Sequence, residues 1–559
     1  MTGTPRLTRR GFLRALGAIG GAAAVYDAAG ILGLLKVRSA QAKMPLYEPG
    51  RGAGRKVIVV GAGMAGLTAA WHLARNGFAV EILEAGDRIG GRNLTLRNGD
   101  RFAEAGGPEQ TCRLVQNEYS DGTPVEVPTY INAGPGRIGQ HSAIVQDYCR
   151  AFGVALEPYI FSGENNLLQS DAAFGGAPMP FRRVRNGYRS GIAGILEGMV
   201  KTGELDKPLS ALDRERFLRA LRAFGGVDTA GFEKALGMAG HDQVLIDVPR
   251  NGFTMDPGAF LQAGTPMQDL ALEQIVASGF WDSGLWSGLE YRWQGVMLEP
   301  RGGMDMIWRR MIARPLPDGR TLADMVRLRS PVAGIWNAPD GVTMATADGT
   351  RRTADFCICT ATPKVIAGLE GNLSPRLKAA CDKVQYIPSV RMAAQMRSRF
   401  WEEIPDSTLR IFGGISFTDA VTSQVWYPSA EFQTRRGVLV TGYNFFDKAV
   451  ALADMSLEQR LEAALVQGEK FHPGRFRSNY IEGSAVSVAW HRMPWQHGAA
   501  VDEPSYTDPS LYRTLVEGFP DGRVYGAGDW LSYLPGWMDG AFETAEIVVS
   551  QIAERVRTP

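Results

Sequence analysis

The stretch Lys56–Arg92, KVIVVGAGMAGLTAAWHLARNGFAVEILEAGDRIGGR, decides how the rest of the chain is read. Its apolar opening, Val57 to Val60, predicts a parallel strand buried on both faces. Gly61, Gly63 and Gly66 follow at G-x-G-x-x-G spacing, with Ala65 beside the last of them. From Met64 onward Leu67, Trp71 and Ala74 recur at helical spacing, and Asn76-Gly77 predicts the stop. A second strand, Val80 to Leu83, runs into Glu84.

Each of these positions answers a physical demand. Gly61 permits a tight turn, Gly63 lets backbone approach a pyrophosphate, and Gly66 lets the helix pack on the strand. The unpaired N–H groups and dipole of the helix N-terminus favour the anion. Glu84, about 20 residues past the glycines, can accept from ribose hydroxyls. Strand, turn, helix, second strand and acid together predict an α/β, Rossmann-like dinucleotide site.

Working outward, a chain of 559 residues is too long for one small core, and two or three domains are expected. With 45% hydrophobic residues and a net charge of +1, it has no basic excess for nucleic acid and no acidic tail for a charged partner. Residues 1–42 differ from the rest. Thr8-Arg9-Arg10-Gly11-Phe12-Leu13-Arg14 is a twin-arginine pattern, followed by an apolar region rich in Gly and Ala and by Ala40-Gln41-Ala42, an A-x-A cleavage site. The reading is a cleaved export signal that delivers a folded protein to the periplasm or outside, with no membrane span left afterwards. Cys112, Cys149, Cys357, Cys359 and Cys381 form neither a disulfide framework nor a metal-ligand pattern, so no metal site is expected.

The continuation DRIGGR places Arg88, Gly91 and Arg92 just beyond the acid, and this resembles the extended fingerprint of the FAD-dependent amine oxidase superfamily. Further segments resemble that family in its own order. Gly134-Pro135-Gly136-Arg137-Ile138 resembles its L-amino-acid oxidase branch, where the arginine pairs with the substrate carboxylate. A guanidinium fork meets a carboxylate bidentately, which fixes the α-carbon. EPRGGMDMIWRRM resembles a glycine turn leading back into the FAD domain, and Val332 matches a residue whose backbone meets the adenine end. Tyr443 matches a tyrosine that donates to the substrate carboxylate, and Trp490 a tryptophan beside the flavin ring. RVYGAGDWLSYLPGWMDGAFETAEIVVSQIAERV resembles the C-terminal FAD motif. There Gly528 and Asp529 contact the cofactor, with aspartate where most members have glutamate. The carbonyl of Gly536 and the ring of Trp537 hold the amine, and the Met538 amide faces the flavin. Arg391 stands where the family usually has a lysine that holds a water near the flavin.

The resemblance implies non-covalent FAD, since no cysteine lies near the last motif. It also implies an FAD domain assembled from residues 52–112, 293–372 and 483–559. An α+β substrate domain would come from 113–165 and 373–482, with a helical insert over 166–292. Within that insert Ser210 and Asp213 predict a helix cap, and for His241, Asp247 and Arg250 a structural or solvated role is favoured over lining a funnel. The implied activity is oxidation of a free L-amino acid by molecular oxygen, in a homodimer. An amino-acid monooxygenase or an oxidase of amines lacking a carboxylate would share the scaffold.

Overall fold

The computed structural model describes residues 50–204, 210–225, 250–403, 409–519 and 522–557. The twin-arginine segment, His241 and Asp247 lie outside the described residues. Those described belong to one compact unit.

At its centre is a five-stranded parallel sheet in the order Val326–Arg327, Ala79–Leu83, Lys56–Val60, Phe356–Cys359, Val524–Gly526. Val57 to Val59 and Cys357 to Cys359 have no accessible surface, as an apolar run without alternation requires. The helix Met64–Arg75 lies on this sheet and ends at Asn76, with Gly77 at φ +87°. The C-terminal helix Met538–Arg557 packs against it, burying Ala545, Val549 and Ile552. Strands remote in sequence thus share one carboxyl edge, where open α/β sheets place ligands.

A second, seven-stranded sheet runs Val486–Ala489, Ser389–Met396, Gly437–Phe445, Gln424–Trp426, Ile415–Thr418, Leu167–Gln169, Met179–Pro180. Its strand Ser389–Met396 is wholly buried and pairs Arg391 directly with Tyr443. Beside these sheets the antiparallel pair Leu156–Ile160 and Val296–Pro300 forms a short ribbon.

The region expected to be helical from residue 166 opens instead with two strands of the large sheet, and its helices begin at Phe181. Leu167–Gln169 pairs with Ile415–Thr418 on one side and with Met179–Pro180 on the other. The helices Phe181–Thr202 and Ala211–Gly225 pack on each other. The predicted cap is formed, with the Asp213 amide donating to Ser210 Oγ at 3.1 Å. Arg250 pairs with Asp269 at 2.7 Å. All five cysteines are buried and free. Among the described residues no helix is long and apolar enough to cross a membrane, and no cluster could hold a metal ion.

Candidate active site

A cavity of about 430 Å³ lies along the carboxyl edge of the central sheet. Its first wall is the nucleotide loop. Gly61 takes φ +103°, and a Cβ there would meet Thr360 Oγ1 at 2.5 Å. A Cβ on Gly66 would meet the Gly61 carbonyl oxygen at 2.0 Å, so close packing of helix on turn demands glycine. Gly63 has no neighbour within 4 Å of such an atom and borders the cavity. Glu84 accepts from the Ala62 and Gly86 amides, both at 2.7 Å, and so stiffens the turn it faces.

The opposite wall comes from the far end of the chain. Arg92 forms a bidentate ion pair with Asp529, which also accepts from the Gly536 amide at 2.8 Å. Asn93, missed in the sequence, donates to the Met304 carbonyl while its buried Oδ1 has no hydrogen-bond partner. Met538, at the start of the C-terminal helix, aims that helix's N-terminal amides at the cavity. Val332 opens a strand of a separate four-stranded sheet and closes one end.

Deeper in, Gly136 and Arg137 follow a loop anchored by two side chains. Trp490 Nε1 donates to the Ala133 carbonyl at 2.9 Å. The Arg391 guanidinium donates to the Asn132 carbonyl at 2.9 Å and to that of Gly134. A Cβ on Gly136 would strike Trp426 at 2.9 Å. Arg137 itself is boxed by Phe161, Trp293 and Trp426, whose ring centres lie 5.0, 4.5 and 4.6 Å from its guanidinium carbon. Its remaining accessible surface faces the cavity. Burial disfavours its charge, Tyr159 and Tyr443 partly restore it, and nearby Arg391 opposes it; the net effect pulls it below the ordinary arginine range. Among the described residues it has no carboxylate partner.

Trp537 completes the aromatic wall, tilted against Trp293 at 5.3 Å and edge-on to His141 at 5.0 Å. His141 and Asp539 are further residues that sequence reading missed. Asp539 accepts from Ser142 Oγ at 3.0 Å, and burial raises its carboxyl above the usual range. Asp539 directly follows the Met538 turn, which was the available signal.

The cavity therefore brings together Gly61, Gly63, Ala65, Glu84, Gly91, Arg92, Gly136, Arg137, Val332, Arg391, Tyr443, Trp490, Gly528, Asp529, Gly536, Trp537 and Met538. Two predicted contacts lie outside its wall. Gly66 is occupied with helix packing, and Arg88 is tucked beneath, its Nη1 buried without a hydrogen-bond partner. Arg391, which departs from the family's usual lysine, ties down the loop that carries Arg137. Its Nη1 donates to both carbonyls, and the guanidinium stacks under Tyr443 and Trp426 at 4.0 and 4.6 Å. A planar, permanently charged guanidinium suits a fixed tie better than a proton shuttle.

These features agree with the comparisons. The sequence model of flavin containing amine oxidoreductases matches residues 64–553. The chain belongs to that family. An L-amino-acid oxidase of Siganus canaliculatus is 26% identical over 501 residues, covering 88% of this chain and 83% of the relative. The flavin-dependent L-tryptophan oxidase of Lentzea aerocolonigenes is 28% identical over 522 residues, covering 89% and 98%. A solved putrescine oxidase and the cyclohexylamine oxidase of Brevibacterium oxydans each share 17% identity at TM-score 0.55, covering 90% of this chain and 99% of theirs. The fold is the α/β FAD-binding fold of flavin amine oxidases.

The cavity fits a flavin dinucleotide. Glycines line it where a pyrophosphate must approach backbone, a carboxylate stands at the second strand, and a long helix directs its N-terminus inward. The unpartnered Asn93 Oδ1 supplies a further polar contact.

Proposed function

We propose that this flavoenzyme oxidises free L-amino acids to 2-oxo acids, with ammonia and hydrogen peroxide as co-products, using non-covalently bound FAD. The observation that carries the reading is Arg137, a deep guanidinium walled by three aromatic rings, without a carboxylate partner among the described residues and open to the cavity. A buried cation left unpaired is costly, and a substrate carboxylate removes that cost. Tyr443 lines the same cavity and supplies a second donor.

With the carboxylate held at Arg137 and Tyr443, the Gly536 carbonyl accepts from the amine and Trp537 bounds it on the other side. The two guanidiniums Arg137 and Arg391 disfavour a third cation nearby, which favours binding of the neutral amine. The residues of the cavity therefore do not need to supply a base for the amine. Bound there, FAD would supply the redox chemistry, a hydride acceptor for the α-hydrogen and an electron donor to oxygen. The resulting imino acid is hydrolysed by water to the 2-oxo acid and ammonia. Orientation and exclusion of water are the chain's own contributions. Gly61, Gly63, Ala65, Glu84, Arg92, Val332, Asp529 and Met538 would hold FAD. That no cysteine lines the cavity supports non-covalent attachment. Export by the twin-arginine route and assembly as a homodimer belong to the same proposal.

The test is anaerobic bleaching of the flavin by the twenty amino acids and by their decarboxylated amines, followed by assay of peroxide and oxo acid in air. Faster bleaching by an amine than by its parent amino acid removes the carboxylate assignment. An amide product in place of an oxo acid makes the enzyme a monooxygenase.

A further inference from the structure

Behind the substrate cavity lies a second one, of about 500 Å³, and the two share Gly136 and Arg391 in their walls. One side of it is the ribbon of Leu156–Ile160 and Val296–Pro300, in which Glu157 and Glu299 are direct partners. Directly opposed residues of an antiparallel pair project on the same face, and like charges so placed repel. Glu299 is 7% exposed and lines the cavity, and its side chain makes no hydrogen bond or ion pair with the described residues. Glu157 likewise has no ion-pair partner among them. Glu431, on the facing segment, accepts from Asn117 Nδ2 at 3.0 Å.

The cations in the walls bond other groups, and Arg301 also acts on Glu157, opposing the rise that burial causes. Arg301 pairs with Glu126 at 2.9 Å, Arg436 with Glu118 at 3.1 Å, Arg399 bonds Glu402 at 2.7 Å, and Arg391 holds its two carbonyls. The remaining titratable groups are Tyr119, Tyr130, Tyr159 and Tyr427, which with Trp426 give the cavity aromatic faces. A buried carboxylate, Glu299, with no cation acting on it among the described residues, a second carboxylate beside it and aromatic faces describe a receptor for a cation. Its size and its failure to gather three carboxylates around one point disfavour a metal ion. We propose that this second cavity binds a primary organic ammonium ion, held by Glu299 and Glu157 across the two strands. The burial of Glu299 and the charges of Glu157 and Glu431, which push its carboxyl well above the usual range, fit a group waiting for a cation.

The proposal is independent of the catalytic reading, because the probe need not be oxidised. tert-Butylammonium carries three N–H donors and no α-hydrogen. Titrated calorimetrically into the flavin-loaded enzyme at constant ionic strength, it is expected to bind without altering the flavin absorbance. Glu299→Gln and Glu157→Gln should each weaken it by about tenfold or more. Equal affinity in wild type and both variants, or a shifted flavin band, places the ligand in the substrate cavity and overturns the proposal. Tighter binding of ammonium chloride than of the organic ion overturns the organic class, and displacement by calcium assigns a metal site instead. Should the glutamine variants fail to fold, wild type alone decides. Protons compete for the same carboxylates, both raised by burial, so affinity must fall as the pH is lowered below neutral. A constant affinity over that range sinks the idea.

Discussion

Arg92 donates to both carboxylate oxygens of Asp529, clasping the end of the nucleotide stretch to the C-terminal motif. Asp529 also fixes the Gly536 amide. Asp529→Ala therefore leaves a guanidinium uncompensated and frees the turn carrying Gly536 and Trp537. Because Arg92 remains partly accessible, the loss of stability should be about 2–3 kcal/mol, below what a fully buried pair would give. Urea unfolding measures it, and flavin retained through gel filtration should fall in parallel.

Gly63 and Gly66 should separate binding from folding. Gly63 has φ −77° and no neighbour near a Cβ, so Gly63→Ala should leave the flavin-free protein within about 1 kcal/mol of wild type. Its methyl group projects where the cofactor should lie, so FAD affinity should drop. Gly66→Ala forces a Cβ onto the Gly61 carbonyl and should cost about 1–3 kcal/mol or more without any ligand. Thermal melts with and without added FAD distinguish the two; identical behaviour would refute the division.

Arg137→Ala should reduce kcat/KM on amino acids by a factor corresponding to about 1.5–3 kcal/mol, the worth of a charge-assisted hydrogen bond. Activity on the matching amines should change much less. Steady-state kinetics on both substrate series is the check, and equal losses would mean that Arg137 does not meet the carboxylate.

Arg391→Lys should act through Arg137. A lysine ammonium lies one bond short of Nη1, which donates to the Asn132 and Gly134 carbonyls, and has no planar face to stack on Tyr443. KM for amino acids should rise by roughly tenfold, and the preference for amino acid over amine should shrink. A purely structural role would lower the melting temperature and leave that preference unchanged.

His72 gives the pH dependence. It is buried against Tyr148, with Nε2 to Oη at 2.6 Å, and burial, aided by Arg75, lowers it from 6.5 to about 3. In the unfolded chain the imidazole takes up a proton below 6.5, whereas in the fold it does not until about 3. Its contribution is therefore fully present above 6.5 and is lost as pH falls toward 3. The stability difference between wild type and His72→Gln should shrink steadily as pH is lowered through that window, and a constant difference would exclude the linkage.

Local patterns in the sequence determined the strand, glycine turn and helix from Lys56 to Arg75 and the stop at Gly77. In each, the period of apolar residues and the conformational freedom of glycine act over a few neighbours. The Asp213 cap was legible for the same reason. Leu167–Gln169 was not, because a three-residue strand exists only through its partners Ile415–Thr418 and Met179–Pro180. Nor could sequence show that Arg391 would be spent on the carbonyls of Asn132 and Gly134, or that Arg88 would turn beneath the loop. Above all, the opposition of Glu157 and Glu299 depends on the register of two strands far apart in the chain. Register is fixed by packing of the whole, so the second cavity became visible only in three dimensions.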